Sequence, residues 1–224
     1  MRDLLQEILE GELPPGEWLP SEVRMSEERG VSRTTVRGAV EALRKLGILE
    51  VRHGRGQCVR AEEDWDVLDE EVLAAIMGAR RLDLVREILD CQAMLEPSAA
   101  ALAARRATDA AVEELASRHE ELVRAAGGRR RRGGALEDPV VAAEIEFHRS
   151  VARMAGNRPL QRMLMPIGTA LALARRELAA GEEEALVRAL RRTLRAIEAR
   201  DPEAARKSVD ARVTAARRWL KRAG

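Results

Sequence analysis

Arg33, Thr34, Thr35 and Arg37 are the residues of this chain whose types and spacing best suit reading a nucleic-acid sequence. An arginine can donate two parallel hydrogen bonds to guanine O6 and N7, and a threonine offers a hydroxyl together with a methyl that can meet thymine. Such side chains work from the first turn of a helix laid in the major groove, while the helix before it meets the phosphate backbone. The surrounding sequence builds that device. Ser21 is placed to cap a short helix that runs to Arg29, Gly30 to end it, Val31 to cross a tight turn and Ser32 to cap the next helix. From Arg33 to Leu46 the apolar residues Val36, Val40, Leu43 and Leu46 recur at helical spacing, which leaves Arg33, Arg37, Glu41 and Arg44 on another face, and Gly47 stops the helix. Ile48 to Arg52 then alternates apolar and polar residues, His53-Gly54-Arg55-Gly56 makes a glycine-rich basic tip, and Gln57 to Arg60 returns. The stretch Leu19 to Arg60 is therefore expected to be a winged helix-turn-helix. Its expected DNA-contacting residues are Ser32, Arg33, Thr34, Thr35 and Arg37, with Arg24 on the preceding helix and His53, Gly54 and Arg55 set by the wing against phosphate or the minor groove.

A second group with chemistry in it is Glu144 and His148, four residues apart on one expected helix between Val141 and Val151, so that both fall on the stripe facing a core. On the last expected helix Arg212 falls among Ala205, Val209, Ala216 and Trp219, again on an apolar stripe. A buried charge without a partner is costly, so an inward Arg212 predicts an inward acid. We expect Arg212 either to pair with Glu144 or to meet an anionic ligand; the competing arrangement lays its stem along the bundle and puts its head in solvent. Glu144 and His148 could also serve as an acid and a base, but no nucleophile motif, phosphate loop or complete metal set accompanies them, and an enzyme is not expected.

The elements that must position these residues follow from composition and pattern. Net charge is +1 over 224 residues, so the total says nothing about nucleic acid, whereas Arg24 to Arg60 carries nine Arg or Lys against four Glu and Met1 to Val23 carries one Arg against six acids. Aromatic residues make up 2%, with no Tyr and one Phe, so the core must come from Leu, Ala, Val, Ile and Met, and the abundance of Ala and Arg favours helices. Leu4, Leu5, Ile8 and Leu9 mark an amphipathic first helix from Asp3 to Leu9. Ala61 to Asp64 reads as a short acidic linker, after which Trp65, Val67, Leu68, Val72, Leu73 and Ile76 begin a helical pattern. Further helices are expected over Asp83 to Arg106, bent or interrupted at Pro97, Asp109 to Ala125, Val140 to Ala155, Pro159 to Ala180 with a kink near Pro166, Glu182 to Arg200, and Ala204 to Arg222. The expected fold is mainly α: a winged helix-turn-helix DNA-binding domain with a small β-hairpin wing over 1–62, and an all-α bundle of about six or seven helices over 65–224. The Arg129 to Arg132 run, between glycine pairs, is expected to be a solvated loop, with a secondary phosphate contact as the alternative. Cys58 and Cys91 stand far apart and no secretory signal is seen, which points to free thiols in the cytoplasm. The longest apolar run, Met163 to Ala174, falls short of the roughly 20 residues a bilayer span needs, so no membrane partner is expected.

Gly11-Glu12-Leu13-Pro14-Pro15-Gly16, Leu19-Pro20-Ser21-Glu22, Gly30 to Arg37 and His53-Gly54-Arg55-Gly56 together resemble the GntR family of bacterial transcription regulators. Trp65 to Leu73, Leu95-Glu96-Pro97 with the alanine-rich run to Arg106, Glu144 to His148 with Ala155-Gly156-Asn157, and Ala196-Ile197 with Arg200 to Ala205 resemble the C-terminal helical effector domain of its FadR subfamily. The resemblance implies a homodimer on double-stranded DNA with an inverted-repeat operator, and an effector domain that takes a small ligand, commonly a sugar acid or other organic acid, and so alters DNA affinity. The function it implies is ligand-controlled transcription regulation, as a repressor; the alternative is a regulator whose C-terminal domain is only a dimerisation scaffold. Many relatives hold a divalent metal with one Asp and three His. Here Glu144 stands for the Asp and His148 for the first His, while Leu190 and Arg212 occupy the other two places. Glu144 and His148 are the candidate metal ligands, an incomplete set too small for a usual zinc site, so a divalent metal is the less favoured alternative to an effector pocket without one. The effector-binding residues implied are Glu144, His148, Arg212, Gln92, Leu190 and Asn157, with Gln92 standing where the family carries an arginine that grips carboxylates. Gly38 replaces a family glutamate and should weaken its helix by up to roughly 1 kcal/mol relative to Ala.

Overall fold

Two serines start the helices of the N-terminal part, because each hydroxyl can accept one of the backbone N–H groups that a helix start leaves without an internal partner. In a computed structural model that describes residues 1–52, 54–69, 72–73, 75–76, 82–128, 138–178 and 181–223, α1 (Arg2–Leu9) is followed by α2 (Glu22–Arg29), whose Ser21 cap accepts from the Arg24 N–H at 3.3 Å. Gly30, at φ 63°, ends α2 in the left-handed conformation. Ser32 caps α3 (Arg33–Lys45) by accepting from the Thr35 N–H at 3.1 Å. The apolar stripes of these helices are their buried faces: Leu4, Leu5, Ile8 and Leu9 of α1, Met25 of α2, and Val36, Val40 and Leu43 of α3 are all buried. The Arg29 guanidinium ties α2 to α1 through two hydrogen bonds to the Glu7 carboxylate, at 2.8 and 2.6 Å.

After α3 the chain forms an antiparallel hairpin of β1 (Leu49–Arg52) and β2 (Gly56–Val59), with Leu49 opposite Val59 and Arg52 opposite Gly56. A third extended piece lies along β2, for Trp18 bridges to Cys58, the Leu19 N–H donates to the Gln57 carbonyl at 2.9 Å and the Val59 N–H to the Glu17 carbonyl at 2.9 Å. The expected acidic linker is not a free one. Residues Glu62–Asp64 form a 3-10 turn that closes over the end of α3, where a Cβ on Gly47 would stand 2.3 Å from the Asp64 carbonyl oxygen. Trp65 donates its indole N–H to the Arg60 carbonyl at 3.1 Å and the Asp66 N–H reaches the Leu46 carbonyl at 2.7 Å. The chain divides into two compact units, Met1–Arg81 and Leu82–Gly224, so the stretch from Trp65 expected to open the second domain belongs to the first.

Gly38 sits inside α3 with nothing within 4 Å of where a Cβ would stand. Glycine there costs backbone entropy without relieving any crowding, so Gly38→Ala is expected to stabilise the folded chain by about 0.5–1 kcal/mol. A rise in the thermal unfolding midpoint checks this, and a fall would show that the site needs the missing side chain.

The second unit, among the described residues, is a bundle of six helices: α4 (Leu82–Arg106), α5 (Asp109–Gly127), α6 (Pro139–Met154), α7 (Arg158–Leu178), α8 (Glu183–Glu198) and α9 (Pro202–Ala223). Helix α4 is central and packs on α6, α7, α8 and α9. Its second half explains how: Ala99, Ala100, Ala103 and Ala104 are fully buried, and side chains this small let neighbouring helices come close on several sides. Pro97 and Pro166 both lie inside their helices, α4 and α7, rather than dividing them, although each removes one N–H from the ladder. Asp138 caps α6, accepting from the Val140 N–H at 2.9 Å, with Pro139 at the first helical position. Asp201 starts α9 by accepting from the Glu203 and Ala204 N–H groups, each at 3.0 Å. No described helix is long and apolar enough to cross a membrane. His53 and the arginine run at 129–132 lie outside the described residues.

Candidate nucleic-acid interface and ligand cavity

Helix α3 packs on α2 and β1 and buries Val36, Val40 and Leu43, which leaves Arg33, Thr34 and Arg37 exposed at its start. Ser32 and Thr35 are also exposed, but their hydroxyls lie 2.8 Å apart and work on the cap, so they hold the helix start as well as facing outward. Arg33 makes no ion pair among the described residues, whereas Arg37 Nε lies 3.4 Å from Glu22 Oε2 on α2 and Arg24 Nε lies 2.6 Å from Glu28 Oε1. Exposed pairs of this kind are worth about 1 kcal/mol or less, and a phosphate can compete for either guanidinium. On the wing, Gly54 takes a left-handed φ of 76°. Arg55 and Arg52 lie over the Trp18 ring, their guanidinium carbons 5.0 and 5.8 Å from its centroid. Nothing in the local pattern of the wing announces Trp18, which is more than 30 residues earlier in the chain.

The second unit holds a polar centre in a largely apolar interior. A cavity of about 170 Å³ is lined by the apolar Leu171, Leu186 and Trp219 together with the polar Gln92, Glu144, Arg175, Glu182, Arg192 and Arg212. Each buried charge has a partner from another helix. Arg175 Nε on α7 donates to Glu144 Oε2 on α6 at 2.7 Å. Arg212 Nη2 on α9 donates to Glu96 Oε2 on α4, and the other Glu96 oxygen takes a hydrogen bond from His148 Nδ1 on α6 at 2.8 Å. Burial pushes the Glu96 carboxyl up, but the Arg212 and His148 charges and their hydrogen bonds outweigh it and hold the group at about 2. Gln92 is 2% exposed, and its Oε1 has no hydrogen-bond partner among the described residues, nor has Arg212 Nε.

The expectation for Arg212 is thus corrected in its partner. The arginine turns inward and finds an acid, but the acid is Glu96, because α9 packs on α4; Glu144 is taken by Arg175. Leu190 is fully buried yet does not line the cavity. Asn157 is exposed and accepts from the Leu160 N–H at 3.1 Å, so its side chain starts α7 rather than facing a ligand. Gln92, Glu144 and Arg212 line the cavity of about 170 Å³, and His148 lines a smaller neighbouring one of about 20 Å³ shared with Gln92 and Glu96. Glu96 and Arg175 are the residues sequence reasoning passed over. Both stand in phase with apolar neighbours, Glu96 with Leu89, Ala99 and Ala103, and Arg175 with Ile167 and Leu171.

The residues present do not fit the divalent metal implied by the resemblance. A zinc site commonly takes three or four protein ligands, and the other two places of the implied set hold Leu190 and Arg212, neither of which offers a lone pair to a cation. No group of three or more His, Cys, Asp or Glu able to hold an ion occurs among the described residues.

Comparison with known proteins agrees with this division of labour. Residues 1–59 match the family described as bacterial regulatory proteins, gntR family, and residues 87–215 match the FCD domain. The chain is 39% identical over 101 residues, 45% of its length and 41% of the relative's, to an uncharacterized HTH-type transcriptional regulator of Mycobacterium tuberculosis. It is 29% identical over 109 residues, 47% of its length and 46% of the relative's, to the galactonate operon transcriptional repressor of Escherichia coli. The chain thus spans under half the length of these curated relatives. Among solved structures, Streptococcus agalactiae GntR aligns with a TM-score of 0.53 and 26% identity over 97% of this chain and 99% of that one.

Proposed function

We propose a function from the premise that this chain belongs to the gntR family of bacterial regulatory proteins and carries an FCD domain: it is a DNA-binding transcription regulator whose second unit binds a small effector. In this reading it is a cytoplasmic homodimer that presents two copies of α3 to the inverted half-sites of an operator, since a twofold dimer requires an operator of matching symmetry. Its sign is that of a repressor, as in the galactonate operon repressor to which it is similar. The effector is a small organic or sugar acid. One observation carries that choice: the guanidinium-bearing side chains of Arg175, Arg192 and Arg212 line one cavity, whose lining also includes the apolar Leu171, Leu186 and Trp219. A carboxylate entering it would exchange with Glu96 for Arg212, or with Glu144 for Arg175, and so loosen one of the ties between helices. A second reading, in which this unit is only a dimerisation scaffold, is favoured by the same ties, which already satisfy Arg175 and Arg212 from within the chain.

Two measurements test this. Against a duplex selected by the wild-type protein from a random library, Arg33→Ala is expected to cost about 1–3 kcal/mol of binding and to relax sequence preference. Unchanged affinity would remove α3 from the interface. In a thermal-shift screen of organic and sugar acids with chelator present, a true effector should raise the midpoint progressively with its concentration. The rise should be lost in Arg175→Met or Arg212→Met, whereas no shift from any acid favours the scaffold.

A further inference from the structure

We propose that Trp18 is a positioning residue for the DNA contact of the wing: its indole is the platform that presents Arg52 and Arg55. The proposal rests on the reading of the wing as a DNA contact. Trp18 stands in register with Cys58 on β2, and Cys58 is opposite Glu50 on β1. Residues directly opposite in antiparallel strands point to one face, and so do residues two apart along a strand. Trp18, Cys58, Gly56, Glu50 and Arg52 therefore share a face. Gly56, opposite Arg52, has no side chain, and nothing on β2 stands between Arg52 and the indole. Arg55, brought round by the turn, lies over the same ring, at 5.0 Å against 5.8 Å for Arg52.

The backbone does not need the indole for this arrangement. The ladder between residues 17–19 and β2 is made by main-chain hydrogen bonds, and the side chain that anchors the segment in the core is that of Leu19, which is buried, while Trp18 is only half-buried. What the indole adds is an aromatic face for two cations. An arginine tip on a glycine-bounded turn otherwise samples many rotamers, and fixing it in advance removes part of the ordering entropy that binding would have to overcome. Stacking uses the ring face and not the N–H groups, so it leaves the Arg55 edge able to donate to phosphate or to groove atoms, while the Arg52 edge donates to Glu50 at 2.6 Å in an exposed pair with which a phosphate can compete. Trp18 thus acts on DNA through Arg52 and Arg55.

The test is a double-mutant cycle on the full chain, read as affinity for a duplex selected by the wild-type protein and as the dependence of that affinity on salt. Trp18→Leu is expected to weaken binding about three- to tenfold, and Trp18→Phe, which keeps an aromatic face, to recover most of the loss. In a chain already carrying Arg52→Ala and Arg55→Ala, Trp18→Leu should change affinity less than about twofold, since its effect passes through those arginines. Equal losses in the two backgrounds, or no difference between the Phe and Leu variants, would overturn the proposal and leave Trp18 a part of the scaffold. The arginine variants alone examine the premise separately: an arginine that touches phosphate should, once truncated, reduce the salt slope by about one. If those variants bind and respond to salt like wild type, the wing does not touch DNA and the proposal falls with that reading.

Discussion

Arg212→Ala is expected to lower the unfolding free energy of the chain by about 3–5 kcal/mol, because it removes one half of a buried ion pair and leaves the other half in place. Glu96 is 7% exposed on the central helix, and its two oxygens are divided between Arg212 and His148. Without the guanidinium the carboxylate must lose its charge, find water in a place built to exclude it, or pull the bundle apart, and each choice costs several kcal/mol. Truncating the arginine also takes away a stem that lines the cavity. The destabilisation should be visible in urea unfolding as a fall in midpoint with little change in slope. A paired replacement separates charge from packing: Glu96→Leu combined with Arg212→Met removes both ions, and such exchanges are often neutral or stabilising. The double variant should therefore recover most of the loss. A single variant within about 1 kcal/mol of wild type would mean that the arginine head reaches solvent and that Glu96 does not depend on it.

How far the sequence foretold this arrangement depends on the range over which each feature is specified. Ser21, Gly30, Ser32 and Gly47 set helix ends through hydrogen bonds and φ values within a few residues of themselves, so the helix-turn-helix was readable almost to the residue. The same holds for the hairpin, where alternation and a glycine-rich turn are local signals, although its strands begin at Leu49 and Gly56 rather than at Ile48 and Gln57. The inward turn of Arg212 was legible as a charge on an apolar stripe, and with it the need for an acid. Which acid was not legible. Glu96 and Glu144 lie 116 and 68 residues before Arg212, both on inward stripes, and only the packing of α9 against α4 chooses between them. The role of Ala61 to Asp64 was missed for a related reason: its acidic composition suggested solvent, but a missing Cβ at Gly47 lets the turn sit on the end of α3. Trp18 was invisible because a cation–π contact leaves no spacing rule between the two partners.

Between about pH 5 and pH 2 the folded chain is expected to lose on the order of 3 kcal/mol of stability through Glu96 alone. Its carboxyl is held at about 2 in the fold against an ordinary 4.5, since the Arg212 and His148 charges and hydrogen bonds more than offset the cost of burial. A carboxyl whose value is depressed in the fold binds fewer protons there than in the unfolded chain. Stability from it is therefore complete above its ordinary value and is lost as the pH falls from there toward the folded value. Asp138 is also lowered, with burial opposed by the Val140 N–H and the Arg176 guanidinium, and it contributes in the same direction. A wild-type acid profile alone cannot assign the loss to one group, so the comparison is with the variant carrying Glu96→Leu and Arg212→Met. Urea midpoints taken at pH values from about 5 to about 2.5 should fall steeply in wild type, and in the variant only with the shallower slope left by Asp138 and the surface carboxylates. Parallel profiles would mean that the Glu96 carboxyl binds protons alike in the folded and unfolded chain, so that the fold does not favour its charged form. The buried tie between α4, α6 and α9 would then be a hydrogen-bonded one, and the large penalty expected for Arg212→Ala should shrink with it.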